Sequence, residues 1–166
     1  EYCGDYNMTT TSGNCSAGFY CPRGEDVPNR LQCPVGYFCP EGSHQPIICP
    51  SGWYQDQLGQ SQCTICPSGY YCDNSYGVVV VNDTVECPAG FFCPAGTQRD
   101  NQWPCPRGTY GNSTGFSSSA DCSPCTGGFY CGDVGLTSPS GPCAAGYYCK
   151  QYAETRTPNQ TTDANI

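Results

Sequence analysis

Seventeen of the 166 residues are cysteine, and sulfur is the one reactive group present in quantity and at regular spacing. Three chemistries compete for it: nucleophilic catalysis, zinc ligation and disulfide bonding. A Cys/His nucleophile pair needs a free thiolate beside an imidazole, and the single histidine, His44, stands in a Ser-His-Gln-Pro stretch that reads as a solvated loop. The pairs Cys63-x-x-Cys66 and Cys122-x-x-Cys125 have the spacing of half a Cys₄ zinc site. Each pair, however, sits inside a larger cysteine repeat, and zinc thiolates favour reducing compartments, so disulfide is the stronger reading. The adjacent carboxylates Glu25-Asp26 lie between turn formers, and no calcium-loop spacing of Asp and Asn occurs. The sequence predicts no enzyme, no cofactor and no metal site.

Composition agrees. Leu, Ile, Val and Phe together number only 21, too few for the aliphatic core of a chain this long. Net charge is −8, but only 12% of residues are charged, which argues against disorder by self-repulsion. Six scattered Lys and Arg make no basic stripe for nucleic acid. The longest apolar run, Val78-Val79-Val80-Val81, is strand-sized and far short of a membrane span. It reads as an ordinary strand or as an edge that pairs with a neighbouring chain. Cysteine at this density persists as disulfide in oxidising compartments. Asn-x-Ser/Thr sequons at Asn7, Asn14, Asn82, Asn112 and Asn159 point the same way, with Asn14 the weakest because its middle residue is Cys15. The expected location is extracellular, secreted or at the cell surface. Glu1-Tyr2-Cys3 opens directly in cysteine-rich sequence, so the expectation is a processed product or a piece of a longer chain.

The elements that position these cysteines follow from an internal repeat. Cys-x-x-Gly-aromatic-aromatic-Cys occurs six times: Cys15–Cys21, Cys33–Cys39, Cys66–Cys72, Cys87–Cys93, Cys125–Cys131 and Cys143–Cys149. Two related starts at Cys49 and Cys105 lack the prompt second cysteine. Cys49, Cys87 and Cys93 recur 56 positions later, and Cys63, Cys66 and Cys72 recur 59 later. The predicted organisation is a partial unit at 1–48, six-cysteine units at 49–104 and 105–149, and a polar tail at 150–166. Two loops differ by three residues between the full units, and each longer version carries a sequon, Asn82 or Asn112. Loops that accept insertions lie on the surface, where a glycan also belongs.

Within the motif, the fourth-position glycine permits a turn closed to other residues, and a preceding proline (Pro34, Pro67, Pro88) fixes an extended approach. The aromatic pair favours strand and points its rings to opposite sides. Trp53 takes such an aromatic position, and Trp103, before Pro104-Cys105, is placed to stack between units. The fold class is therefore small and disulfide-rich: tandem cysteine-rich repeats of short β-hairpins and loops, elongated, with little or no helix. A bridge closing a loop of ~12–15 residues stabilises by about 3 kcal/mol in the chain-entropy model, and eight such bridges would stand in for the missing core.

On Cys66-Pro67-Ser68-Gly69-Tyr70-Tyr71-Cys72, and on Cys49-Pro50-Ser51-Gly52 through Cys63-Thr64-Ile65-Cys66 with its copy at Cys105–Cys125, the chain resembles the ephrin-receptor-like cysteine-rich repeat. That repeat is similar in appearance to EGF-like and TNF-receptor-like modules. The resemblance covers residues 15–149. It implies building material of receptor ectodomains, matrix proteins and surface or ciliary glycoproteins, tubular ciliary hairs (mastigonemes) among them. Departures are the eleven-residue gap after Cys3 and the absence of proline after Cys15, Cys125 and Cys143.

Six cysteines allow fifteen pairings. The expected scheme closes Cys49 with Cys63, crosses Cys66–Cys87 and Cys72–Cys93, and repeats this as Cys105–Cys122, Cys125–Cys143 and Cys131–Cys149. By analogy Cys15, Cys33, Cys21 and Cys39 pair among themselves. The alternative closes each seven-residue motif on itself. Cys3 is left over, unpaired or joined to another subunit. Two functions follow: a structural segment of a secreted glycoprotein that assembles into an extracellular filament or a cell-surface or ciliary coat, or a ligand-binding receptor or adhesion ectodomain. The first is favoured, because repeats that contact only their neighbours suit end-to-end stacking. Its partners are copies of itself or neighbouring segments of a longer chain, with N-linked glycans, without nucleic acid and without membrane insertion.

Overall fold

In the seven-residue motif the turn comes first. In the computed structural model, which describes residues 13–23, 27–74 and 85–158, the fifth-position N–H donates to the second-position carbonyl in every motif. Tyr37 N–H reaches Pro34 O at 3.2 Å, Trp53 reaches Pro50 at 3.0 Å and Tyr147 reaches Ala144 at 3.0 Å. A turn of this kind needs a positive φ at its third residue, and glycine supplies it: φ is +83° at Gly36 and +87° at Gly90. The Cys49 and Cys105 starts make the same turn, so the chain holds eight motifs, numbered here 1 to 8 from Cys15 to Cys143.

After the turn the aromatic pair runs as a two-residue strand, and its partner is the dipeptide just before the next motif. The first of two compact units comprises residues 1–66 and 72–84. There β1 (Phe19–Tyr20) pairs with β2 (Leu31–Gln32), β3 (Tyr37–Phe38) with β4 (Ile47–Ile48) and β5 (Trp53–Tyr54) with β6 (Thr64–Ile65), all antiparallel. The second unit comprises residues 67–71 and 85–166. There Tyr70 bridges Glu86, Phe91 bridges Pro104, β7 (Thr109–Tyr110) pairs with β8 (Ser123–Pro124), and β9 (Phe129–Tyr130) with β10 (Gly141–Pro142). A 3-10 turn, Ser119–Asp121, precedes Cys122. The hairpins and the scarcity of helix are as the composition predicts.

A second backbone pattern ties consecutive motifs together. The turn glycine's N–H donates to the seventh-position carbonyl of the next motif, and its own carbonyl accepts from that motif's first cysteine. In the first unit Gly18 pairs this way with Cys39 and Cys33, and Gly36 with Gln55 and Cys49. In the second, Gly90 pairs with Gly111 and Cys105, and Gly108 with Cys131 and Cys125. The hydrogen-bonded repeat is thus a single motif, one third of the six-cysteine sequence period. Motif glycines also lie against the backbone of a later loop. A Cβ on Gly69 would stand 2.9 Å from Gly115 O, and one on Gly108 2.6 Å from Tyr152 O.

The interior is sulfur. Among the described residues the buried apolar side chains are fourteen cysteines, and the buried polar ones are Ser43, Gln55, Thr97 and Thr109. Three of those four close tight turns with their hydroxyls: Ser43 Oγ donates to Pro40 O at 2.7 Å, Thr97 to Pro94 and Thr109 to Pro106 at 2.6 Å.

The pairing of those cysteines corrects the crossed scheme. Each motif closes on itself: Cys15–Cys21, Cys33–Cys39, Cys66–Cys72, Cys87–Cys93, Cys125–Cys131 and Cys143–Cys149. The expected Cys66–Cys87, Cys72–Cys93, Cys125–Cys143 and Cys131–Cys149 bonds are not made, nor does Cys15 or Cys21 bond to Cys33 or Cys39. The reason lies in the turn. It reverses the chain within the motif and brings the two Cα atoms to 5.8–6.1 Å, inside the span a disulfide bridges. Cys49 bonds Cys63 and Cys105 bonds Cys122, closing the two longer loops.

Candidate functional site: the open edge of the last motif

Two motifs lack a seventh-position cysteine, and the structure shows what replaces it. In motif 3 that position is Gln55, only 4% exposed. Its Nε2 donates to Gln62 O at 2.8 Å, its Oε1 accepts from Gln57 N–H at 3.1 Å, and its carbonyl takes the Gly36 N–H at 2.7 Å. Hydrogen bonds to both ends of a buried amide do locally what a bridge does elsewhere. In motif 6 the position is Gly111, where a Cβ would meet Cys105 Sγ at 3.1 Å and Phe116 Cε2 at 3.0 Å. The Cys105 sulfur beside it is instead bonded to Cys122, so this motif is not closed on itself. Spacing from Cys49 and Cys105 singles out both residues in the sequence, although neither residue type announces its role.

In five loops the chain returns to the preceding motif through a residue with positive φ, whereas after motif 4 the Asn74 side-chain amide donates to Cys49 O instead. Gly42 N–H donates to Cys15 O, Gly59 to Cys33 O, Gly115 to Cys87 O and Gly135 to Cys105 O, all at 2.8–2.9 Å. After motif 8 the same slot holds Tyr152, at φ 65°, whose N–H reaches Cys125 O at 3.3 Å. Tyr152 is the one non-glycine residue with positive φ among those described.

At motif 8 the pattern stops. Gly128 of motif 7 still donates to Cys149 O and accepts from Cys143 N–H. Gly146 of motif 8 has the same turn, φ +84°, yet neither its N–H nor its carbonyl finds a backbone partner among the described residues. A Cβ on Gly128 or Gly146 would meet nothing within 4 Å. Tyr147 and Tyr148, the aromatic pair of this motif, have no paired strand among the described residues and are 46% and 69% exposed. Phe129 and Tyr152 are also exposed. Among the described residues this edge leaves one backbone donor, one acceptor and an unpaired aromatic dipeptide, with exposed rings at Phe129, Tyr147, Tyr148 and Tyr152. Aromatic side chains of this kind carry much of the energy in protein interfaces.

The remaining sequence candidates are scattered. Cys63 and Cys66 are bonded to Cys49 and Cys72, and Cys122 and Cys125 to Cys105 and Cys131, so these sulfurs are not thiolates. His44 is exposed in a bend. Asn14 and Asn112 are exposed, while Cys3, Asn7, Asn82, Asn159, Glu25-Asp26 and Val78–Val81 lie outside the described residues. Trp103 packs on Phe92 within its own hairpin, ring centroids 6.3 Å apart, and Trp53 lies in β5, opposite Ile65. Asp121 caps the 3-10 turn: its Oδ2 accepts from the Ser117 N–H at 2.8 Å, the Ser117 hydroxyl at 3.0 Å and the Ser118 N–H at 3.0 Å. The Ser117 and Ser118 amides hold its carboxyl below the ordinary aspartate value of 3.8.

No helix among the described residues is long and apolar enough to cross a membrane. Eight disulfides are the mark of a protein matured in an oxidising, extracytosolic compartment. Residues 36–76 match the family model described as tyrosine-protein kinase ephrin type A/B receptor-like. No curated protein matches the chain. With self-closed motifs, two-residue hairpins and that match over motifs 2 to 4, the chain is a cysteine-rich repeat domain similar to the ephrin receptor-like repeats.

Proposed function

We propose that this chain is a structural repeat segment of a secreted glycoprotein, assembling end to end into an extracellular filament or a cell-surface or ciliary coat. The observation that carries the reading is the edge of motif 8. Every earlier motif spends its turn glycine and aromatic pair on the motif that follows, and motif 8 presents the same groups without such partners among the described residues. The natural complement of such an edge is another repeat of the same kind, from a second copy or from a neighbouring segment of a longer chain. A head-to-tail contact of this sort propagates rather than closes.

The test is the assembly state of the oxidised, secreted protein, followed by light scattering and electron microscopy. Mass that grows with concentration and regular fibres are expected. Tyr148→Arg, which places a charge on the open edge, should suppress both, while Leu58→Arg, at an exposed position in the first unit, should not. A wild-type protein that stays monomeric from micromolar to millimolar concentration refutes the filament. The second reading, a ligand-binding ectodomain, draws on the receptor-like match at residues 36–76 and would take the exposed aromatics as the anchor for a protein ligand. It predicts a monomer that binds a partner with an affinity sensitive to Tyr148→Arg.

A further inference from the structure

The loop of residues 112–114 is held at both ends by backbone hydrogen bonds. On one side Gly111 N–H donates to Leu136 O at 2.8 Å, and on the other Gly115 N–H donates to Cys87 O at 2.8 Å. Between them lies the sequon Asn112-Ser113-Thr114, every residue of it exposed. The Thr114 hydroxyl donates to Glu86 Oε2 at 2.7 Å, and Asn112, two residues earlier, is exposed and has no side-chain hydrogen bond among the described residues. The other described sequon, Asn14-Cys15-Ser16, is built differently. Cys15 is fully buried and bonded to Cys21, Ser16 N–H is spent on Pro28 O at 3.1 Å, and the Asn14 side chain lies beside Gly42, its Cγ 3.7 Å from where a Cβ there would stand.

We infer that Asn112 carries an N-linked glycan added before the domain folds, and that Asn14 stays bare because Cys15 closes its bridge first. In this transfer Asn112 Nδ2 bonds to C1 of the sugar, the C1–oxygen bond to a lipid-pyrophosphate oligosaccharide donor breaks, and one Nδ2 proton is released. The lipid pyrophosphate leaves, and nothing is oxidised or reduced. The acceptor sequon is read in an extended chain with its Ser or Thr hydroxyl available. Once folded, Thr114 is engaged with Glu86, so modification belongs to the nascent chain. There Asn112 has no cysteine nearer than Cys105 and Cys122, while Asn14 abuts one whose partner is six residues away. A bridge that short forms between neighbours without long-range folding. On the folded domain the glycan stands on the loop between two backbone anchors, where it displaces no contact.

This inference rests on the secretory reading proposed above, and the experiment separates the two. The protein is expressed through the secretory pathway of eukaryotic cells, and whole-cell and secreted fractions are treated with a glycosidase in heavy-oxygen water. Site occupancy is then read by peptide mass spectrometry. Asn112 should be occupied in most molecules and Asn14 in a small minority. Asn112→Gln should remove one glycan's mass, and the Cys15→Ser/Cys21→Ser double variant should raise Asn14 occupancy several-fold in the whole-cell fraction, which does not require that variant to fold. Oxidised, folded acceptor protein should be modified far more slowly in vitro than the reduced chain. Glycans on other sequons with Asn112 bare overturn the inference alone, as does Asn14 occupancy equal to that of Asn112. A chain that bears no glycan on any sequon and is not secreted overturns both readings.

Discussion

Replacing Gly90 by alanine and, separately, Gly128 by alanine makes the same backbone demand at two places with different surroundings. Both glycines have φ +87°, both donate to a carbonyl at 2.9 Å, and both accept from the first cysteine of the next motif. An L residue in the left-handed region costs about 1–2 kcal/mol, and that cost is common to the two. Around Gly128 a new Cβ meets nothing within 4 Å, so Gly128→Ala should cost about 1–2 kcal/mol and no more. At Gly90 the Cβ would overlap the Gly135 carbonyl oxygen and stand 3.1 Å from its carbon and 3.4 Å from Thr137 Cγ2. Backbone must move there, at about 1–3 kcal/mol for overpacking. The same shift strains the Gly90 bonds to Gly111 and Cys105, each worth about 1 kcal/mol. Gly90→Ala should therefore cost about 3–5 kcal/mol on these principles. With eight bridges intact the domain opens locally, so amide exchange is the suitable assay. The Cys105 amide, bonded to Gly90 O, and the Cys143 amide, bonded to Gly128 O, are matched reporters. Trp103 fluorescence in a Trp53→Phe background supplies a second signal for the Gly90 region. Equal losses of protection in the two variants would refute the idea that the Gly90 turn is packed against the backbone of the later loop at Gly135.

Peptide mapping without reduction should recover Cys66 joined to Cys72 and Cys125 to Cys131, and a Cys66–Cys87 peptide would restore the crossed scheme. By the chain-entropy model, removing Cys105–Cys122 as a serine pair should cost about 3 kcal/mol and removing Cys87–Cys93 about 2 kcal/mol, read as midpoint shifts in guanidinium. Tyr152→Gly should stabilise the end of the second unit by ~0.5–1 kcal/mol, because relief of the positive φ outweighs the added freedom of the unfolded chain. Slower exchange of the Tyr152 amide would register the gain, and faster exchange would contradict it. Acid should open the cap at Ser117–Asp121. The Asp121 carboxyl titrates below its ordinary value in the folded state, so its contribution is full above the unfolded aspartate value and disappears as pH falls through the lower folded one. Protection of the Ser117 and Ser118 amides should follow that course, lose its pH dependence in Asp121→Asn, which keeps an acceptor oxygen, and be absent at all pH values in Asp121→Ala. Protection that rises on acidification would count against the cap.

How much of this was written in the sequence can be judged from single residues. Gly36, Gly69 and Gly90 are identifiable as turn glycines because they stand third after a cysteine and before an aromatic pair. A residue that must adopt positive φ leaves that signature in any alignment of repeats. The pairs Phe19-Tyr20 and Tyr37-Phe38 are identifiable as strands for the same local reason. Gln55 and Gly111 are not identifiable as replacements for a cysteine. One works through a buried amide that finds Gln62 and Gln57, and the other by leaving room for the Cys105 sulfur and Phe116. Both roles depend on atoms brought close only by the fold. Tyr152 likewise looks like an ordinary tail residue until its loop is superposed on those of Gly42, Gly59, Gly115 and Gly135.

Composition and spacing by themselves determined that this chain relies on sulfur in place of an aliphatic core, that it is assembled from Gly-aromatic hairpins, and that it belongs to an oxidising compartment. Those are short-range matters: residue type, a turn of four residues, a strand of two. Tertiary structure decided which cysteines bond, because bonding depends on Cα atoms meeting near 6 Å, and cysteine order alone allows many such meetings. It also decided where the pattern of pairing is left open. That the Gly146 N–H and carbonyl lack backbone partners among the described residues stands out only against the partners that Gly90, Gly108 and Gly128 have found, and such partners are a property of neighbours in space.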